Sequence, residues 1–197
     1  VLDKMDKTDD VEIADGSEDE EGIDLMDLIE HDRTLDEERA LVDPQVQALH
    51  DAVEEGRMEQ AHQLLADTNS GSWVAAQGVD GDTALHLACL YGRSQLVPLL
   101  ISKGAIVNAL DVNGSTPLHD AAAGGFFDIC EHLLGAHATA TVQDEDGDTA
   151  LHNAANGNHT TVVQLLLGAG ANKTLENGDG NTPAALARDD AVVALFG

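Results

Sequence analysis

The chain has 197 residues, a formal net charge of −28, 3% aromatic residues and two cysteines, Cys89 and Cys130. That length holds one domain, or one domain and a tail, and two cysteines are too few for a disulfide framework, so a reducing intracellular compartment, cytoplasmic or nuclear, is expected. No apolar run approaches the ~18–20 residues of a membrane span, the N-terminus is too acidic for a secretory or organellar signal, and so acidic a chain repels both nucleic-acid phosphates and anionic lipid.

The charge is concentrated at the start. Residues 1–44 hold 18 Asp or Glu against Lys4, Lys7, Arg33 and Arg39, and the run from Asp15 to Glu21 is the densest. Such a segment buries too little apolar surface to offset the entropy of ordering, so residues 1–44 read as an acidic, disordered leader. One stretch differs. Ile23, Met26 and Ile29 share a helical face at i, i+3, i+6, with Leu25 and Leu28 beside them and Asp24, Asp27 and Glu30 between. This stretch reads either as a short acidic–amphipathic motif that folds on a basic, apolar groove of a partner, or as a helical turn lying as a cap against the domain that follows. Ser17, followed by Glu18, Asp19 and Glu20, resembles an acidophilic-kinase site of the casein kinase 2 type.

From residue 45 the chain repeats itself. Thr83, Thr116, Thr149 and Thr182 are 33 residues apart each time, as are Leu85, Leu118 and Leu151, and His86, His119 and His152. The surrounding strings are GDTALHLACLYG, GSTPLHDAAAGG, GDTALHNAANGN and GNTPAALA. Each Thr is a helix N-cap, able to accept from a first-turn amide; Pro117 and Pro183 follow it where the missing N–H is harmless. Leu and paired Ala residues then make the apolar face of a short first helix, which Gly92 and Gly125 end with a left-handed turn. A second helix carries an apolar stripe at helical period: Leu96, Val97 and Leu100, then Ile129, Cys130 and Leu133, then Val162, Val163 and Leu166. Asp111 with Gly114, and Asp144 with Gly147, mark the turns leading into the next Thr. Upstream, Ala48-Leu49-His50, Ala52, Gly56 and Leu64-Leu65 form a degenerate copy whose phase implies a three-residue insertion near Asn69 to Trp73. The departures are Pro98 inside a second helix, where a kink is expected, and Asn158 and His137 at helix-ending positions held elsewhere by Gly.

Over residues 78–187 the pattern closely resembles the ankyrin repeat. The resemblance implies an all-α repeat solenoid of helix–turn–helix units with short β-hairpin fingers. Its divisions are a degenerate repeat at 45–77, full repeats at 78–110, 111–143 and 144–176, and a C-terminal cap at 177–197. It also implies that the repeated His ties the Thr cap to the neighbouring turn.

Catalytic and metal motifs are missing. The histidines recur at the repeat period, about 10 Å apart if stacked at one helix diameter, too far for a shared ion. The cysteines fall on apolar helix positions. Neither a metal, a cofactor nor an enzymatic activity is expected. Members of the family usually bind partners on the concave side, formed by finger tips and first helices. On that frame Asp80, Asp82, Glu145, Asp146 and Asp148 fall at the tips, and Leu90, Tyr91, Asp120 and Asn153 on the first-helix face. Nearly every charge there is negative, with Leu90 and Tyr91 as apolar anchors. The expected function is a non-catalytic, monomeric adaptor whose partner is a protein with a basic segment. The alternatives are a regulatory domain of a larger enzyme or channel, to which the missing Met and abrupt end point, and an inhibitor masking a partner's surface. Asn108 occupies the finger position that asparaginyl hydroxylases modify in such repeats, and is the candidate modification site beside Ser17.

Overall fold

The computed structural model describes residues 43–66, 73–78 and 80–197. The acidic leader with Ser17 and the Ile23–Ile29 stretch, and most of the Asn69–Trp73 insertion, lie outside the described residues.

Helices come in pairs: α1 (Pro44–Glu54) with α2 (Met58–Ala66), α3 (Ala84–Leu90) with α4 (Leu96–Ser102), α5 (Pro117–Ala123) with α6 (Phe127–Gly135), α7 (Ala150–Asn156) with α8 (Thr160–Gly168), and the short α9 (Pro183–Leu186) with α10 (Asp190–Val193). The first helices α1, α3, α5, α7 and α9 stack in one layer, and the second helices in another behind it. The core lies between the layers and is built of Ala and Leu, with Ala88, Ala121, Ala122, Ala154 and Ala155 buried in the first-helix row. Their small side chains let successive helices approach closely, and the larger Leu85, Leu118 and Leu151 fill the space beneath.

The Thr–His pair fastens each repeat to the next. His119 Nδ1 accepts from the Thr116 backbone N–H at 3.0 Å and lies 2.8 Å from Thr116 Oγ1, which donates to it. That fixes the proton on Nε2, which donates to the carbonyls of Val142 at 3.1 Å and Asp148 at 3.2 Å in the following turn. His86 reaches the Ser115 carbonyl in the same way, and His152 the Asn181 carbonyl, each 29 residues on. Burial holds the His86 and His119 rings below the ordinary imidazole pKa, in keeping with rings whose Nδ1 faces two donors.

A second set of contacts runs in the opposite direction. The residue after the left-handed position that ends a first helix, Arg93, Phe126 or His159, reaches back to the glycine at that position in the preceding repeat. A Cβ on Gly56 would lie 3.1 Å from the Arg93 guanidinium, and one on Gly92 only 2.7 Å from the Phe126 ring, while His159 covers Gly125. Arg93 also donates to the carbonyls of Val53 at 3.0 Å and Glu54 at 2.7 Å, capping the C-terminus of α1 with a cation. His159 Nε2 donates to the Ala123 carbonyl at 2.9 Å at the corresponding end of α5.

Two local features differ from the expectation. Pro98 does not kink a helix: α4 starts at Leu96, two residues later in phase than α6 and α8, so Pro98 falls in its first turn. A missing N–H is harmless there. The fingers are closed turns rather than paired strands. Each is shut by a backbone bond across its base, Gly78 N to Asp82 O, Asp111 N to Ser115 O, Asp144 N to Asp148 O and Asn177 N to Asn181 O, and by a second inside it from the glycine N–H to the first residue's carbonyl. Among the described residues the one β-bridge joins Gln77 and Thr83. Asn158 and His137 do take the left-handed conformation of the glycines they replace, with φ of 57° and 67°.

Candidate functional site

The finger turns set where the acidic side chains go. Asp111 Oδ1 accepts from the backbone N–H groups of Asn113 and Ser115, at 2.8 and 2.7 Å, and Asp144 Oδ1 from that of Asp148 at 2.8 Å. The first acid of a turn is thus spent on building it. The residues after it are free to project: Asp80, Glu145, Asp146 and Asp179 are all exposed. Adjacent tips are also joined, Glu145 N donating to Asn113 O at 2.9 Å and Gly178 N to Asp146 O at 2.7 Å. The last three tips are therefore bonded into one edge, and Gly81 of the first finger packs against Val112 of the second. Between the last two fingers a cleft of about 390 Å³ is walled by Glu145, Asp146, Asp148 and Asp179, with Asn177 and Gly178 at its base.

Leu90 and Tyr91 close the first-helix face at the end of α3, 50% and 40% exposed. Tyr91 is held in place: its hydroxyl donates to Glu54 Oε1 at 3.1 Å, and the Arg93 guanidinium carbon sits 5.8 Å from its ring centre. Its ring is thereby ordered before any partner arrives, which lowers the entropy cost of using it as an anchor.

The remaining expected residues are less exposed than their phase suggests. Asp148 is half-buried and accepts from Asn177 Nδ2 at 2.8 Å, so it links two fingers as well as facing the cleft. Asp82 is half-buried, and desolvation, followed by the charges of Asp111 and Asp80, pushes its carboxyl up to about 6. Asp120, on α5, is pushed up to about 8 by burial first and then by Asp82 and Asp111. At neutral pH Asp120 is largely protonated and is not one of the standing negative charges of the face. Asn153 occupies the same position one repeat later, on α7, also half-buried. Asp82, Asp111 and Asp120 thus feel one another across two repeats, a crowding that sequence phase alone does not reveal.

Asn108 lies away from this face, bridging neighbouring repeats. Its Oδ1 accepts from Thr139 N at 2.8 Å and its Nδ2 donates to the His137 carbonyl at 3.3 Å. Ser17 is outside the described residues. Cys89 and Cys130 are buried in the core; burial drives the Cys89 thiol well above its usual value and the Cys130 thiol up to about 12. Among the described residues no three His, Cys, Asp or Glu side chains are grouped to hold a metal ion, and no helix is long and apolar enough to cross a membrane. Arg93, beside Tyr91, is a residue of the candidate face that sequence reasoning missed. Its repeat phase was the available signal, obscured because Phe126 and His159 share that phase with quite different chemistry.

The sequence model of a family described as ankyrin repeats (3 copies) matches residues 49–142 and 122–196. No curated protein matches the sequence.

Proposed function

The chain belongs to the ankyrin-repeat family, whose repeats form protein–protein interaction domains, and from that premise we propose that it is a non-catalytic adaptor holding a basic segment of a partner protein along its acidic finger edge. The observation that carries this reading is the continuity of the edge. Glu145, Asp146 and Asp179 project from fingers that are hydrogen-bonded side to side, and Asp80 from the finger before them, so their charges act on one extended ligand rather than on scattered ions. Leu90 and the ordered Tyr91 supply the apolar contact on the first-helix face. A negative edge speeds encounter with a basic partner and disfavours acidic ones.

The test begins with recovery of a partner by the full 197-residue chain, followed by binding kinetics as a function of salt. Glu145→Lys with Asp146→Lys is expected to slow association and flatten its salt dependence, because rim charges act on the encounter. Tyr91→Ala is expected to hasten dissociation by about 1–3 kcal/mol, because a central aromatic anchor acts on the bound state. Asp148 is unsuited to this test, since its carboxylate also holds Asn177. Unchanged binding of the double Lys variant at low salt would leave the acidity with no role beyond solvation.

A further inference from the structure

The N-terminal end of the stack carries a cleft of a different character. Its volume is about 450 Å³ and its walls are Gln45 on α1, Gln60, Gln63 and Leu64 on α2, and Trp73. No residue of α3 or α4 contributes to it, and among the described residues none of its walls is ionisable. We propose that this cleft is the docking site of the chain's own leader, taken up by the Ile23–Glu30 stretch, which lies outside the described residues.

Three observations lead there. The first is connection: the described chain begins at Asp43, two residues before Gln45, so the leader emerges beside the cleft. Residues 31–42 can span up to ~40 Å when extended, and so short a tether holds the stretch at an effective concentration on the order of millimolar. The second is charge. Residues 1–44 carry a net −14, and the finger clefts are walled by Glu54, Asp80 and Asp82, or by Glu145, Asp146, Asp148 and Asp179, which repel it. The cleft around Met58, Arg93 and Gln95 has no acid either, but the Arg93 guanidinium there is committed to Val53 O and Glu54 O.

The third is chemical fit. Wound as a helix, Ile23, Met26 and Ile29 would share one edge that suits Leu64 and Trp73. Asp24, Asp27 and Glu30 fall between them, where the carboxamide N–H groups of Gln45, Gln60 and Gln63 can donate. The leader then caps the open end of the stack, a role every repeat array needs filled. This inference does not depend on the finger edge being the partner site, and each can fail without the other.

Trp73 is the one tryptophan of the chain and reports on the cleft directly. The full chain is compared with its Ile23→Ser/Met26→Ser/Ile29→Ser variant by Trp emission and by quenching with acrylamide, a neutral quencher that the protein's charge does not repel. Circular dichroism verifies that both are folded. The expected result is a red-shifted emission and stronger quenching in the triple variant, and no change in a Val11→Ser/Ile13→Ser control elsewhere in the leader. Identical spectra and quenching for parent and triple variant would overturn the proposal. So would shielding of Trp73 that is lost on dilution of the parent, which would assign the cleft to a second copy of the chain.

Discussion

Among the described residues, His137 is the one whose backbone conformation costs most for its type. At φ 67° it occupies the left-handed region with a β-carbon, where a residue other than glycine or asparagine is disfavoured by about 1–2 kcal/mol. Its side chain is exposed, and Asn108 bonds only its carbonyl. His137→Gly is therefore expected to stabilise the fold by about 1 kcal/mol in urea titration, against the unfolded-state entropy that glycine adds. Asp120 presents the opposite problem, a carboxyl placed where its charged form is unwelcome. Its pKa is about 8 in the fold and ~3.9 in the unfolded chain, so between these values the folded state holds the extra proton and stability falls as pH rises. Asp120→Asn is expected to raise stability by on the order of 1–3 kcal/mol above pH 8, a gain that vanishes towards pH 4. A gain that is the same at both pH values would show that the carboxyl is not the source. The left-handed positions of His137 and Asn158 were legible in the 33-residue phase, because glycines at equivalent positions announce the conformation. The burial of Asp120 was not. Its position is solvent-facing on an isolated helix, and its burial, with the charges of Asp82 and Asp111 from two fingers acting on it, appears only in the stack.

At the scale of the element, the pairing of the left-handed glycines Gly56, Gly92 and Gly125 with side chains of the next repeat is what locks the helix pairs in register. Gly92 has φ 65° and no room for a β-carbon beneath the Phe126 ring. Gly170 has φ 87° and nothing within 4 Å of that position. Gly170→Ala should thus cost only the backbone strain, about 1–2 kcal/mol, whereas Gly92→Ala adds an overpacking cost of about 1–3 kcal/mol. Thermal melting of the two variants separates these contributions, and equal costs would mean that Phe126 yields freely. First and second helices were readable from Thr caps, paired alanines and apolar stripes. The start of α4 was not, because deciding whether Pro98 breaks a helix or begins one requires knowing where the helix starts. Nor was the reach of Arg93, since Phe126 and His159, which share its phase, have quite different chemistry.

At the scale of the whole molecule, every described fastening between repeats joins neighbours: the His–carbonyl bonds run 29 residues forward, and the side chains over the glycine turns reach one unit back. The solenoid itself was legible in the sequence because a fixed period is enough to specify a stack held by nearest-neighbour contacts. The acidic edge was legible only as a composition, since its continuity depends on the finger-to-finger backbone bonds from Glu145 to Asn113 and from Gly178 to Asp146. The constant 29-residue reach of the histidines makes the coding sequence tolerant of one kind of change in length and intolerant of others. Excision of residues 111–143 would join Leu110 to Asp144, bring Asp148 O to the place Ser115 O held for His86, and set His159 over Gly92 as it now sits over Gly125. A gene shortened by 33 codons should therefore encode a protein that still melts cooperatively, at a lower temperature. Loss of 30 or 36 codons from the same point would misalign every bond across the junction. Unequal recombination between the near-identical TALH and TPLH stretches would generate the tolerated change preferentially, so the geometry that fastens the repeats also marks out how the array can grow or shrink.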